Sequence, residues 1–494
     1  MTQTDPNTQT DPDNRADPNT QADAPTQADE NTRADEARAA EQLPPTAAAP
    51  GGEPIEFPTS LGAFPALRGD GVVRVRNVRY ATAGRFEAPV PAAIRPDEAS
   101  ARRTQRIACP QPPSPSDELL GRPLRGVESD EDCLRLSITL PDDAPDEPMP
   151  VLVWVHGGSH VSGAGDLAGY DPAAIVREQG VVVVAVTSRL GLLGYPTDDA
   201  HPANLGLLDL IAAFRWVGEH IAAFGGDPAR ITAVGQSSGG DALAHLIAAD
   251  GARGLFHRVI LQSAPFGIRT GRAEMQRRMA EAAGPLDPGA SLDDLFEAQA
   301  RAKAAAAGSG LRSAMPFGPR AGAAPLPAED RIEAAWREHA ADLEVLVTWN
   351  RDETAFFFEI DPKLAALAAK PVVGPILRRL LVTRTTNAVY RTGARRFARI
   401  VADGGAEVRT AEFDGHPDGS RIGSAHAIEV ALLFPAVEAW EGAPLVAPDG
   451  ARNLVAAGAA LRAAWAEFAR TGAFPAGYVP TGHGWAGSLL ARRV

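Results

Sequence analysis

The sequence predicts an α/β fold, a mostly parallel central sheet with helices on both of its faces. Three observations support this fold class. The chain has 494 residues, of which 45% are apolar, so it can bury a large core. Residues 151–155 and 181–186 are continuous apolar runs, which are typical of strands covered on both faces. Next, residues 205–221 carry apolar side chains at helical spacing, so strand and helix alternate along the chain.

The first 52 residues differ in composition from the rest of the chain. They repeat D-P-N-T-Q at positions 5–9 and 17–21, and positions 1–50 hold ten acidic residues against three arginines. Such a segment cannot bury enough apolar surface to offset the entropy lost when its backbone is ordered. We therefore expect a disordered acidic tail at residues 1–52 and one folded domain at residues 53–494.

Composition also limits the partners and the compartment. A formal net charge of −14 argues against nucleic-acid binding. The chain contains no run of 18 apolar residues, and its start lacks the cationic and apolar regions of a signal peptide, so we expect no membrane span and a cytoplasmic location. Since neither C-x-x-C nor H-E-x-x-H occurs, no metal or other cofactor is expected. The oligomeric state is left open.

The two cysteines of the chain are Cys109 and Cys133. Without an export signal, two reduced thiols are the favoured interpretation. A local disulfide between them is the alternative.

The remaining elements can be predicted in order from the same patterns. Beyond the central runs, the predicted strands are residues 72–75, 134–140, 231–234, 258–264, 343–348 and 407–413, the last being the final strand. Two helical blocks, residues 270–342 and 362–401, predict insertions that cover the sheet. Residues 453–470 predict a C-terminal helix that packs on the core.

The stretch 230–240 reads R-I-T-A-V-G-Q-S-S-G-G and predicts a strand, a sharp turn and a helix. A serine at such a turn exposes its hydroxyl above the sheet, and glycines two residues to either side let strand and helix pass closely. Ser237 is therefore the candidate nucleophile. An ordinary Gly/Ser loop can match the same pentapeptide, so the interpretation depends on partners elsewhere.

A serine hydroxyl needs a base to accept its proton and an acid to orient that base. Among the histidines that follow strands, the pattern favours His426 only slightly over His416. The candidate acids are Asp352 and Glu353, which come directly after the strand at 343–348, where the sites of open α/β sheets collect. The pattern alone does not separate these two.

A third requirement is a set of backbone donors for the oxyanion. After the strand at 151–155, His156 precedes Gly157, Gly158 and Ser159, a flexible stretch whose N–H groups can point into a site, with the His156 ring as support. The N–H of Ser238 lies at the start of a helix, next to the candidate nucleophile. The order H-G-G, G-x-S-x-G, acid, histidine is that of the α/β-hydrolases.

Longer motifs identify the chain as resembling the type-B carboxylesterases, the α/β-hydrolases that include cholinesterases and bacterial p-nitrobenzyl esterases. The resemblance extends from about residue 70 to residue 485. Its motifs are E-D-C-L at 131–134, V-W-V-H-G-G at 153–158, R-L-G-L-L-G at 189–194, N-L-G-L-L-D at 204–209, F-G-G-D-P-A-R-I-T at 224–232, G-Q-S-S-G-G at 235–240, N-R-D-E at 350–353 and G-S-A-H-A-I-E at 423–429.

The resemblance implies an α/β-hydrolase fold with helical insertions covering the site. It implies a triad of Ser237, Glu353 and His426. The oxyanion donors that it implies are Gly158, Ser159 and Ser238, with Gly157 shaping the loop. In secreted members of the family, cysteines placed like Cys109 and Cys133 form a disulfide. It further implies two structural ion pairs, Arg85 with Glu131 and Arg189 with Asp209.

Two departures from the family pattern concern the substrate pocket. His160 stands where an aromatic residue usually follows the oxyanion loop, and Gln236 stands where Glu usually precedes the nucleophile. The predicted function is a serine hydrolase that cleaves small-molecule carboxylic esters through an acyl-enzyme. The alternatives are an amide or carbamate hydrolase with the same triad, and a catalytically silent binding protein, which the intact triad disfavours.

Overall fold

The computed structural model describes residues 52–96, 105–145, 147–448, 450–475 and 477–494. Residues 1–51, nearly all of the predicted tail, lie outside the described residues, so the tail stays a prediction.

The core of the fold is a mixed sheet of 12 strands. In chain order these are β1 (Glu53–Thr59), β2 (Gly62–Gly69), β3 (Val72–Arg79), β4 (Arg135–Pro141), β5 (Met149–Val155), β6 (Val182–Val186), β7 (Gly226–Gln236), β8 (Arg258–Gln262), β9 (Glu344–Asn350), β10 (Glu407–Phe413), β11 (Gly477–Pro480) and β12 (Ser488–Arg493). Across the sheet the order is β1-β2-β3-β4-β6-β5-β7-β8-β9-β10-β12-β11.

The middle of the sheet is parallel, as predicted. Six neighbouring strands of the sheet, in the order β6-β5-β7-β8-β9-β10, pair in parallel. The strands on either side of these six pair antiparallel. Every residue of β5 and β6 is buried, because helices cover both faces of the parallel part. Continuous apolar runs rather than alternation are therefore the pattern of these strands.

The prediction that residues 407–413 form the last strand is wrong. Two further strands of the same sheet follow: β12 pairs antiparallel with β10, and β11 pairs with β12 at the sheet edge. The hairpin of β1 and β2 was also not predicted. Strand β1 contains Pro54 and Pro58, which argue against a strand but are tolerated at a sheet edge, where half of the N–H groups have no partner strand.

Fourteen α-helices surround the sheet within the described residues. They are α1 (Ala173–Gln179), α2 (Gly191–Gly194), α3 (Leu205–His220), α4 (Ser238–Ala248), α5 (Ala273–Ala283), α6 (Leu292–Ala305), α7 (Ile332–His339), α8 (Ala355–Ile360), α9 (Pro362–Ala368), α10 (Val373–Thr386), α11 (Thr392–Asp403), α12 (Ile428–Leu433), α13 (Val437–Trp440) and α14 (Leu454–Thr471). None of them is both long and apolar enough to cross a membrane.

The two faces of β5 show how the helices cover the sheet. Val153 packs in one core cluster with Phe214 of α3, and the next residue, Trp154, packs in the opposite cluster with Trp465 of α14. Successive side chains of a strand point to opposite faces, so the chain buries both. Burying one such aromatic or aliphatic side chain stabilises the folded state by about 1.5–3 kcal/mol relative to leaving it exposed.

Both predicted helical insertions are present. Helices α5, α6 and α7 lie between β8 and β9 in the chain, and α8 to α11 lie between β9 and β10, with a π-helix at Asn387–Arg391. The second insertion begins earlier than predicted, since α8 follows the candidate acids directly.

The two ion pairs that the resemblance implied are formed. Arg189 and Asp209 are buried, and the guanidinium contacts both carboxylate oxygens, with Nε 2.9 Å from Oδ2. Arg85 makes the same two-point contact with Glu131, with Nε 2.9 Å from Oε2. Two parallel N–H···O bonds fix a planar guanidinium in one orientation.

Candidate active site

Ser237 lies at the turn between β7 and α4, as predicted. Its φ of 56° and ψ of −122° are sparsely populated values that cost about 1–3 kcal/mol unless the surroundings hold them. Ser237 N donates to Gln262 O of β8 at 2.8 Å, and Asp241 N donates to Ser237 O at 3.0 Å. A Cβ at Gly239 would lie 2.1 Å from Val155 O, so the close approach of α4 to β5 requires glycine there.

Three side chains form one line of hydrogen bonds. Ser237 Oγ lies 2.8 Å from His426 Nε2, and His426 Nδ1 lies 2.6 Å from Glu353 Oε2. Glu353 follows β9, is fully buried and accepts the backbone N–H of Asn350 at its other oxygen, at 2.8 Å. His426 precedes α12, and its N–H donates to Glu353 O at 3.1 Å. Such a line can move a proton from hydroxyl to imidazole while a carboxylate holds the second ring proton.

The alternative acid and base lie apart from this line. Asp352 accepts the N–H of Ser424 at 3.3 Å. His416 is half-buried and pairs with Ala486 in a two-stranded ribbon. Over the part of the chain that the structure describes, no hydrogen bond joins either side chain to Ser237.

The loop after β5 reverses direction at residues 158–160. Gly158, Ser159 and His160 have φ angles of 119°, 57° and 60°. The N–H groups of Val161 and Ser162 both donate to Gly158 O at 3.0 Å, which closes the turn. A Cβ at Gly158 would lie 1.9 Å from Ser162 O, so only glycine fits.

This turn and the start of α4 carry three unused donors. Considering only described residues, the backbone N–H groups of Gly158, Ser159 and Ser238 have no protein acceptor. Ser238 is the first residue of α4, where unpaired N–H groups and the helix dipole favour negative charge. Gly157 lies against the side chain of Gln236. The arrangement can therefore bind an anionic oxygen beside the Ser237 turn.

Two side chains next to the turn are buried. His156 Nδ1 donates to Gly157 O at 2.7 Å, and burial lowers the pKa of its imidazole to about 4, so the ring is neutral near pH 7. Gln236 Nε2 lies 3.4 Å from His426 Nε2. The predicted influence of Gln236 on the substrate pocket stays a prediction.

His160 is also buried, with 4% of its surface exposed. Its Nε2 lies 3.2 Å from Asp241 Oδ2, and its ring packs edge-on against Tyr195, with 5.0 Å between the ring centroids. The polar contact of this ring is therefore with helix α4. Its predicted effect on the substrate pocket stays a prediction.

The structure adds a second buried carboxylate that the sequence did not predict as part of the site. Glu429 accepts Asn350 Nδ2 at 2.6 Å, and Asn350 also holds Glu353 through its backbone. Burial and the nearby Glu353 raise the pKa of Glu429 to about 7. A signal was available, because Glu429 is the one charged residue in the apolar helix α12.

Aromatic rings surround the imidazole of His426. The centroids of Phe356, Phe357 and Tyr390 lie 5.9, 6.0 and 5.3 Å from that of His426. The two phenylalanines belong to α8, directly after Glu353, so the run F-F-F in the sequence was a usable signal. Tyr390 belongs to the π-helix, and nothing in the sequence pattern indicated it.

Comparison with known proteins agrees with this fold. The family model described as Carboxylesterase family matches residues 67–371, more than half of the chain. The chain belongs to the carboxylesterase family. It is a carboxylic-ester hydrolase of the α/β-hydrolase fold, so the predicted fold class and the predicted activity are both confirmed. Members of this family act on small-molecule esters.

Several relatives cover most of the chain. It is 38% identical over 370 residues to a probable N-octanoylanthranilate hydrolase of Rhodococcus erythropolis, covering 74% of this chain and 81% of the relative. This chain is also 31% identical to the para-nitrobenzyl esterase of Bacillus subtilis, and the match covers 84% of this chain and 89% of the relative. The structure of a thermophilic PNB esterase matches with a TM-score of 0.68 and 26% identity, covering 89% of this chain and 97% of that one.

Proposed function

We propose that this carboxylesterase works by nucleophilic catalysis, with Ser237 as nucleophile, His426 as general base and Glu353 as the acid that orients the imidazole. The observation that carries the proposal is the line of two hydrogen bonds, 2.8 Å from Ser237 to His426 and 2.6 Å from His426 to Glu353. Glu353 keeps the proton of His426 on Nδ1, which leaves Nε2 free to accept the proton of the hydroxyl.

In the acylation step, Ser237 Oγ forms a bond to the carbonyl carbon while its proton moves to His426 Nε2. The imidazolium, stabilised by Glu353, then gives this proton to the alkoxy oxygen as the C–O bond breaks, and the alcohol leaves. In deacylation, water loses a proton to the same nitrogen and attacks the acyl carbon. The acid is released and the proton returns to Ser237.

Charge develops on the carbonyl oxygen in both steps. The unused N–H groups of Gly158, Ser159 and Ser238 support a role as donors to this oxyanion, with Gly157 shaping the loop. Removing one such donor typically lowers kcat by about 10²–10³-fold. Donors held in place before the reaction stabilise the transition state without further reorganisation.

The test uses the purified full chain with p-nitrophenyl acetate, butyrate and octanoate. Turnover should be lost in Ser237→Ala, and a fluorophosphonate should add its mass to the wild-type chain but not to this variant. Ser263→Ala is the matched control, since Ser263 follows the neighbouring strand β8 and also has a positive φ, of 52°. Wild-type protein without esterase activity, or full activity in Ser237→Ala, would contradict the proposal.

A second candidate reaction is the hydrolysis of N-acyl amides at the same site. The relative at 38% identity is named for an N-octanoyl compound, whose acyl group is bound to nitrogen. The same triad serves both reactions, because His426 Nε2 can protonate a leaving nitrogen as it does an oxygen. Comparing p-nitrophenyl octanoate with octanoyl p-nitroanilide separates the two. An anilide rate within tenfold of the ester rate would favour the amide reaction.

A further inference from the structure

A buried carboxylate on helix α4 contacts the loop that carries two of the proposed oxyanion donors. Asp241 lies one helical turn after Ser237, and its N–H donates to Ser237 O at 3.0 Å. Its Oδ2 lies 3.2 Å from His160 Nε2. His160 directly follows Ser159 in the loop. One hydrogen bond therefore joins the two elements from which the donors at Gly158, Ser159 and Ser238 come.

The loop needs such support, because its backbone is strained. Ser159 and His160 both have φ near +60°, a region that costs a non-glycine residue about 1–2 kcal/mol. Strained residues of this kind persist only where the surroundings hold them. The N–H of Gly191 donates to His160 O at 2.7 Å, and Tyr195 packs against the His160 ring. The bond to Asp241 is the only side-chain hydrogen bond of His160 within the described residues.

The charge on Asp241 makes this contact stronger than a neutral hydrogen bond. Burial would raise the pKa of Asp241, but His245, His160 and Arg272 outweigh it and lower the pKa to about 2. Asp241 is therefore ionised at neutral pH although it is 2% exposed. His245 lies one turn further along α4, with Nδ1 3.5 Å from Asp241 Oδ2.

We propose that Asp241, acting through His160, is a positioning residue that holds residues 158–160 in the conformation that binds the oxyanion. The two residues occupy the loop and the helix, so their bond fixes the distance between Gly158 and Ser159 on one side and Ser238 on the other. The inference rests on the proposed function, since it identifies residues that support the oxyanion site of that function.

This role predicts a loss in the transition state rather than in substrate binding. His160→Phe keeps a ring against Tyr195 but removes the donor to Asp241. We expect kcat per active site to fall about 10–100-fold, while KM changes less than threefold. The fall in kcat should not exceed the fall that follows removal of one oxyanion donor. Affinity for a trifluoromethyl ketone, which forms an oxyanion on adding to Ser237, should fall by the same factor as kcat/KM.

A rescue variant separates positioning from general packing. The Nε2 of glutamine can occupy the place of a histidine Nε2, so His160→Gln should recover most of kcat. Asp241→Asn should behave like His160→Phe, although more mildly. His339→Gln is the matched control: His339 Nδ1 donates to Ile247 O at 2.8 Å, so this histidine also contacts α4, but at its far end. Its kcat should equal that of the wild type.

Active sites are counted by exhaustive fluorophosphonate labelling, so that unfolded protein does not lower the apparent kcat. Folded His160→Phe with kcat within threefold of wild type would overturn the inference and leave the proposed function intact. A change confined to KM would also overturn it, because it would make His160 a substrate-pocket residue. An equal loss of kcat in His339→Gln would also overturn the inference, because it would show that any histidine packed against α4 has the same effect. If the wild type itself has no esterase activity, both proposals fail.

Discussion

His426 Nδ1 lies 2.6 Å from Glu353 Oε2, and the other oxygen of this fully buried carboxylate accepts the N–H of Asn350. Glu353 therefore has both oxygens engaged and one fixed orientation. The strand β9 ends at Asn350, so the acid is anchored to the rigid part of the sheet rather than to a free loop. A carboxylate held in this way can keep the imidazole in one tautomer.

The first prediction concerns this carboxylate. Glu353→Gln preserves the shape of the side chain, but its amide can donate to Nδ1 and so favour the tautomer in which Nε2 carries the proton. In comparable triads this change lowers kcat by on the order of 10⁴-fold. We expect a similar loss of p-nitrophenyl butyrate turnover, with little change in KM.

The neighbouring acid supplies the control for that experiment. Asp352→Asn alters a carboxylate that contacts Ser424 N but has no hydrogen bond to His426 in the described structure. Its kcat should stay within tenfold of wild type. If Asp352→Asn proved the more damaging of the two substitutions, the assignment of Glu353 would be wrong.

The second prediction concerns the strained turn after β5. An alanine at Gly158 would place its Cβ 1.9 Å from Ser162 O, so the loop has to move. We expect Gly158→Ala to lower kcat by at least about 100-fold, since two of the proposed oxyanion donors lie in this turn. Initial rates and active-site labelling measure the loss per folded molecule.

Gly126→Ala separates the clash from backbone strain. Gly126 also has a positive φ, of 72°, but a Cβ there would have nothing within 4 Å. This control should lose about 1 kcal/mol of stability through the left-handed backbone and keep its kcat. Similar kinetics in the two variants would show that the turn at Gly158 does not need its observed shape.

The third prediction concerns the two cysteines. Cys109 and Cys133 are buried and free in the structure, and Cys109 Sγ accepts the N–H of Leu190 at 3.4 Å. The hydrogen bond with Cys109 and burial both raise the pKa of the Cys133 thiol well above its ordinary value. We expect no thiol to react with a disulfide reagent in the native protein, and two per chain to react after denaturation without reductant. Absence of thiols in the denatured chain would establish the disulfide instead.

The parts of the fold that could be predicted are those in which the local pattern and the final packing agree. Continuous apolar runs identified β5 and β6 because both faces of these strands are buried. The stretch around Ser237 was predictable because the close approach of α4 to the sheet restricts positions such as Gly239 to glycine. Sequence spacing alone left the acid and the base open.

The parts that could not be predicted depend on contacts distant in sequence. Strand β12 pairs with the edge of β10, which lies about 75 residues earlier in the chain, and its sequence, S-L-L-A-R-R, does not alternate. The bond between His160 and Asp241 spans 81 residues, and no local pattern in the sequence indicates that these two side chains meet. The likeness to carboxylesterases did not indicate this pair either, because His160 departs from the family pattern.

The last prediction concerns Glu429, whose carboxyl group shares Asn350 with Glu353. Gln262 Nε2 donates to Glu429 Oε1 at 3.4 Å, and Gln262 Oε1 is buried without a hydrogen-bond partner among the described residues. A protonated Glu429 can donate to Gln262 Oε1 when the Gln262 amide is turned over, and it avoids a second negative charge beside Glu353. Both effects favour the neutral acid, in agreement with the raised pKa.

The consequence is a stability that falls as pH rises. Burial and Glu353 raise the pKa of Glu429 from 4.5 to about 7 in the folded protein, so between these values the folded state binds more protons than the unfolded state. The contribution of the Glu429 proton to the free energy of unfolding is complete below about pH 4.5 and is lost as pH rises through 7. The free energy of unfolding should therefore change by about 3 kcal/mol over this range. Glu429→Gln, which does not titrate, should therefore gain stability relative to wild type from pH 5 to pH 8.

Urea denaturation of both proteins at pH 5, 6, 7 and 8 measures this difference. The amide of Glu429→Gln can accept from Asn350 Nδ2 and, with the Gln262 amide turned over, donate to Gln262 Oε1, so the variant should fold with its neighbours in place. Glu441→Gln, at an exposed glutamate, is the control and should follow the wild-type curve at every pH. Parallel curves for wild type and Glu429→Gln would mean that Glu429 ionises alike in the folded and unfolded chains, which its burial beside Glu353 argues against.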